Sequence, residues 1–170
     1  AFPKELRQIV NIVKEGAKGF KLFLSNPIGG LDLDDDEAIV DAFKEITKLR
    51  VPVSVHAEER NILEQNLLKT KRRNSPDAYA KVHSWQAEVK AIARIMDIAK
   101  KSNGVHVHIC HLSTRQGLEL VYSARKTGLS VSCEVTPHHL LLYSSDFRVI
   151  GNLALTNPPL RPVKDVLSLW

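Results

Sequence analysis

Four short runs rich in β-branched and apolar residues punctuate the chain: GFKLFLS at 19–25, VPVSVH at 51–56, VHVHIC at 105–110 and LSVSCEV at 129–135. Between them the apolar positions recur at helical spacing. A helix is predicted over roughly 4–15 and a strand near 20–24. The loop NPIGG follows, then an acidic DLDDDE stretch in which Asp34 to Asp36 suit the start of a helix. Ile39, Val40, Phe43, Ile46 and Leu49 mark the buried stripe of that helix. The strand after Pro52 ends at His56. A helix begins around Glu58 to Asn61 and gives way to a basic loop, KTKRRNSPD, where Ser75-Pro76-Asp77 reads as a turn. Ser84 to Lys101 is the clearest helix, with Ala87, Ala91, Ile92, Ile95 and Ile98 on one broad face and Asn103-Gly104 closing it. After the third strand come a helix over roughly 114–127 ended by Gly128, the fourth strand, and a Pro-His-His turn. An irregular region around 144–152, the proline-rich TNPPLRP and a last helix starting at VKDVLSLW complete the order.

Strands alternating with helices imply an α/β fold with right-handed βαβ units and a parallel sheet. Four strand–helix units can be counted, with no internal repeat and no linker, so residues 1–170 read as one domain. A (β/α)8 TIM barrel takes about 250 residues. The 170 residues therefore suit the middle and later part of such a barrel, with its N-terminal and C-terminal parts missing.

Composition changes this picture little. The 44% hydrophobic and 25% charged residues are ordinary for a globular protein, and no apolar run is long enough for a membrane span. The net charge of +5 has its densest cluster at Lys69, Lys71, Arg72 and Arg73, without interleaved aromatics, which reads as a solvated helix end or loop and not a nucleic-acid surface. Cys110 and Cys133 lie in strand-like runs without zinc-finger spacing, as reduced, buried thiols of a cytoplasmic protein would.

Chemistry concentrates at strand ends, where parallel α/β proteins carry their sites. His56 and His111 occupy equivalent places on two strands, as metal ligands or as hydrogen-bonded interior histidines. Lys21 closes toward the same end; it snorkels to the barrel mouth, pairs with a carboxylate or, as a neutral amine, reacts with carbon dioxide to give a metal-bridging carbamate. His106 and His108 alternate with Val105, Val107 and Ile109 and are expected in mid-strand, in the core or facing helices. Glu134, near the end of the fourth strand, is a candidate carboxylate ligand or a salt-bridge partner. His138 and His139 follow Pro137, one expected to pack and the other to face the site mouth. Walker, G-x-G-x-x-G and G-x-S-x-G patterns do not occur.

Taken together, GFKLFLS, VSVHAEE, VHICHLST, CEVTPHHL and TNPPLR resemble, in this order, the dihydroorotases of the amidohydrolase superfamily. CEVTPHHL and HICHLST favour dihydroorotase over allantoinase and hydantoinase. The resemblance implies two zinc ions bridged by a carboxylated Lys21, with His56 and His111 on the second metal. Glu134 corresponds to a contact to an additional zinc in some members, and Asn157 to a substrate-contacting position. The implied reaction is reversible hydrolysis of dihydroorotate to N-carbamoyl-L-aspartate in pyrimidine biosynthesis.

Departures from the pattern are equally specific. The family's paired-histidine motif and its substrate-binding arginine are expected before Ala1, and its general-base aspartate beyond Trp170, so no catalytic base is assigned within the chain and the segment alone is expected to be inactive. Where members often carry an Arg-Pro-Pro-like string ahead of Ala87-Glu88, this chain has His83-Ser84-Trp85. Alternatives are another cyclic amidohydrolase or a non-catalytic scaffold supporting a carbamoyltransferase. A cut barrel would leave open strand edges, for which a homodimer or further protein would compensate.

Overall fold

The computed structural model describes every residue except 1, 4, 27 and 71–73. Lys71, Arg72 and Arg73 of the basic cluster, Lys4 at the expected start of the first helix and Pro27 of the NPIGG loop thus lie outside the described residues. Four strands, β1 (Phe20–Phe23), β2 (Val53–His56), β3 (Val107–Ile109) and β4 (Val131–Cys133), form one parallel sheet in the order β1-β2-β3-β4. Sequential order with right-handed crossovers places every connecting helix on the same face. That is the wall of a (β/α)8 barrel; a doubly wound sheet needs a reversal of strand order.

α1 (Arg7–Lys14) precedes the sheet, and the connecting helices are α2 (Asp36–Leu49), α3 (Arg60–Lys69), α4 (Pro76–Val82), α5 (Trp85–Lys101) and α6 (Arg115–Lys126). Asp35 caps α2, its Oδ1 accepting from the N–H groups of Glu37 at 2.9 Å and Ala38 at 3.3 Å. Asp36 and Glu37 add negative charge to the first turn, where the helix dipole favours it. The core lies between helices and sheet: Leu22, Val53, Val55, Val107 and Ile109 meet Ile39, Phe43, Ile92 and Ile95, all nearly solvent-free. After β4 come α7 (Pro137–Leu141), α8 (Phe147–Ile150), flanked by single 3-10 turns, and α9 (Val163–Leu169). A smaller apolar cluster of Phe147, Ala154 and Leu160 packs this tail.

Three expectations change. Ser75-Pro76-Asp77 starts a helix and not a turn: Ser75 Oγ accepts from the Ala78 N–H at 3.2 Å and Pro76 takes a first-turn position, where its missing N–H costs nothing. Pro137-His138-His139 likewise opens a helical turn. His106 and His108 are neither core nor helix-facing. The β-branched set of β3 covers the helices, and the two histidines project to the opposite face, His106 exposed and His108 half-buried. There His106 pairs with Ser130 Oγ at 2.9 Å and Ser132 Oγ at 3.0 Å, and His108 with Ser132 Oγ at 2.9 Å.

Candidate metal centre

Register aligns the open face of the sheet in polar rows. Lys21, Ser54, His108 and Ser132 are neighbours across all four strands. One row nearer the strand ends, Phe23 lies beside His56. The Phe23 ring has Lys21 Nζ 5.1 Å from its centroid and the His56 ring at 5.4 Å.

His56 and His111 meet at the strand ends. His56 Nδ1 lies 3.0 Å from His111 Nε2, with ring centroids 4.8 Å apart. Alternation alone would send His111 to the helix side with Val107 and Ile109. Its φ of +40°, a left-handed conformation uncommon outside glycine, returns the side chain to His56. The next N–H, of Leu112, donates to the Glu134 carbonyl at 2.8 Å and ties this turn to the end of β4.

A buried carboxylate supports that turn. Glu88 on α5 accepts from the backbone N–H of Ser113 at 3.1 Å and of Thr114 at 3.0 Å, from Thr114 Oγ1 at 2.6 Å, and from the Ser113 hydroxyl. Arg161, also buried, donates from Nε to Ser113 Oγ at 2.9 Å.

A second buried carboxylate orients His56. Glu58 is wholly solvent-free; its Oε2 takes His56 Nε2 at 2.8 Å and its Oε1 takes His83 Nδ1 at 2.8 Å. Burial alone would raise the Glu58 carboxyl, but the hydrogen bonds from His56 and His83 outweigh it and hold the group at about 2. A carboxylate only accepts, so His56 Nε2 carries the hydrogen and, in the neutral ring, Nδ1 keeps its lone pair. His111 is pushed down to about 4, by burial first and then by the charges of His56 and Lys21. Its ring is therefore neutral at neutral pH, as a metal ligand must be.

These features fit an ion. Two imidazoles present facing nitrogens, one backed by a carboxylate as in many zinc sites. Tetrahedral zinc with Zn–N bonds near 2.0–2.1 Å places such nitrogens roughly 3.3 Å apart, close to the 3.0 Å seen here.

The remaining candidates divide. Glu134 does not join the histidine pair; it sits, exposed, with His108 and Cys110, the three potential ligand atoms lying within 4.8 Å of one another. Burial would raise Glu134, but the His108 hydrogen bond and charge lower it below its ordinary value. Asn157 is exposed and precedes a cis bond to Pro158, whose carbonyl takes His139 Nε2 at 3.1 Å. His139 packs, as expected of one of that pair, and burial first lowers it to about 4.

Glu58, His83, Glu88 and Arg161 all lie within or beside strings read from the sequence, yet no role attached to them there. The available signal is the His-x-Glu spacing of His56 and Glu58. His83 is 25 residues further on, where no local pattern reaches it.

No family model matches the chain. An allantoinase of Rubrobacter xylanophilus is 36% identical over 176 residues, covering 99% of this chain and 37% of that protein. A dihydroorotase of Methanothermobacter thermautotrophicus is 36% identical over 165 residues, covering 94% and 35%. Among solved structures, the L-hydantoinase (dihydropyrimidinase) from Arthrobacter aurescens superposes with a TM-score of 0.88 at 28% identity, over 97% of this chain and 37% of that one. The chain thus spans little more than a third of the length of the curated relatives it matches. Over that stretch, which carries a four-stranded arc of the barrel and its strand-end histidines, the chain belongs to the cyclic amidohydrolases.

Proposed function

We propose that the chain supplies the second-metal side of a zinc-dependent dihydroorotase, acting in the cytoplasm on dihydroorotate and N-carbamoyl-L-aspartate in pyrimidine synthesis. The observation that carries the metal reading is the facing pair His56 Nδ1 and His111 Nε2, with His56 held by Glu58. Bound zinc would supply Lewis-acid polarisation of the ring amide carbonyl and would make water a nucleophile near neutral pH. His56 and His111 contribute neutral nitrogen ligands. Lys21, as its carbamate, would bridge to a second ion: its amine gains a bond to the carbon of carbon dioxide and loses a proton. The cluster of Glu134 with Cys110 and His108 supports a place for an additional ion. Asn157 contacts substrate on this reading, and the general base comes from outside these residues.

The choice of dihydroorotate rests on CEVTPHHL and HICHLST. Allantoin is the second reading, favoured by the allantoinase that matches at the same 36% identity. A zinc-loaded protein that includes this chain should be assayed on dihydroorotate, allantoin and a 5-substituted hydantoin. Turnover of dihydroorotate, lost in His111→Ala, is expected. Turnover of allantoin alone would overturn the substrate assignment, and turnover unaffected by His111→Ala would overturn the site. A carbamoyltransferase or a second copy is the partner this reading favours; the 170 residues by themselves are expected to show no turnover.

A further inference from the structure

We infer that His83 is a positioning residue, acting through Glu58 to fix which nitrogen His56 offers to the metal; this rests on the metal reading above. The geometry is a relay of single hydrogen bonds. His83 Nδ1 donates to Glu58 Oε1 at 2.8 Å, and His56 Nε2 donates to Glu58 Oε2 at 2.8 Å. With both carboxylate oxygens engaged by ring N–H groups and no exposure to water, Glu58 has one orientation in which both partners are satisfied. That orientation holds the hydrogen of His56 on Nε2 and leaves Nδ1 aimed at His111.

His83 is itself fixed from three sides. Its ring stacks on Tyr79 with centroids 4.2 Å apart and planes 25° apart. Its N–H donates to the Tyr79 carbonyl at 2.9 Å. Its carbonyl accepts from Arg161 Nη1 at 2.7 Å. The junction between α4 and α5 and the TNPPLRP segment thereby set the orientation of a ligand at the end of β2. Losing one indirect partner of this kind typically costs 10–100-fold in metal affinity.

The test measures the tautomer of His56 by long-range 1H–15N NMR of the zinc-free chain with labelled histidine, and zinc affinity by competition with a chelator. Wild type should show His56 as the Nε2–H tautomer. His83→Phe keeps a ring against Tyr79 but removes the donor; mixed tautomers at His56 and zinc binding weakened about 10–100-fold are expected. His83→Asn places an amide N–H where Nδ1–H was and should restore both readouts, which a purely structural loss would not do. An Nδ1–H tautomer in wild type overturns the inference without any variant, and so does zinc binding indifferent to His83→Phe. Should that variant not fold, Glu58→Gln must scramble the His56 tautomer, and an unchanged tautomer there overturns it equally. A wild-type chain that binds no zinc at all overturns the metal reading itself, a separate result.

Discussion

At the residue scale, two buried carboxylates organise the strand-end loops, and each makes a distinct prediction. Glu88 satisfies two backbone N–H groups and two hydroxyls next to His111. Glu88→Ala would strand those donors and remove the carboxylate 3.9 Å from the buried Arg161 guanidinium, one of three that offset its charge. A loss of about 3 kcal/mol or more is expected in urea unfolding, and a loss under about 1 kcal/mol would show that the network is dispensable. Titration gives the second prediction. His111 and His139 each stand at about 4 in the fold against an ordinary 6.5. Between those values the unfolded chain binds protons that the folded chain refuses, so stability is full above about pH 6.5 and falls as pH drops toward 4. Glu58, held at about 2 against 4.5, extends the loss at still lower pH. Urea midpoints of the zinc-free chain should therefore decline from pH 7.5 to pH 5, with a shallower decline in His139→Asn; a flat profile would contradict the burial of both rings. None of this could be read from single residues in sequence. Glu58 and His83 are far apart along the chain, and the flip at His111 depends on a backbone angle that alternation does not encode.

At the element scale, the periodic signals were legible and the choice of face was not. The apolar stripes of α2 and α5, the start of α6 after Thr114 and its stop before Gly128, and all four strands follow from spacing and caps. Alternation correctly separates His106 and His108 from Val107 and Ile109, but says nothing about which set the helices cover. Ser-Pro-Asp is both a turn signal and a helix start, and only packing against α3 decides for α4. The α5–α6 contact offers a test of close packing. A Cβ on Gly117 would lie 2.8 Å from each of Ile92 Cδ1, Leu112 Cδ1 and the capping Thr114 Oγ1. Alanine gains roughly 1 kcal/mol in helix propensity, while overpacking costs about 1–3 kcal/mol. Gly117→Ala should be net destabilising by about 1 kcal/mol in thermal or urea unfolding; a stabilised variant would mean that α5 and α6 are less tightly joined.

At the scale of the whole molecule, the sheet is an arc. Among the described residues β1 pairs only with β2 and β4 only with β3, leaving two edges open. The tail adds exposed apolar side chains, Val149 at 83%, Leu153 at 90% and Trp170 at 77% exposure. Such edges and patches favour association. Analytical ultracentrifugation of the 170-residue chain at micromolar concentration should find dimers or larger species, and a well-folded monomer would contradict this. The wall topology was legible from the regular alternation of elements, and the family from five strings in register. The pairing of His56 with His111 was expected from their equivalent places on two strands; the positive φ at His111 that brings its ring to His56 was not, because alternation alone sends that side chain to the helix side. The metal site itself depends on that pairing. Zinc K-edge absorption of the chain loaded with half an equivalent of zinc reads it most directly. Two imidazole nitrogens near 2.0–2.1 Å are expected, disappearing in both His56→Ala and His111→Ala; a dominant sulfur shell near 2.3 Å, or a spectrum unchanged in those variants, would contradict it.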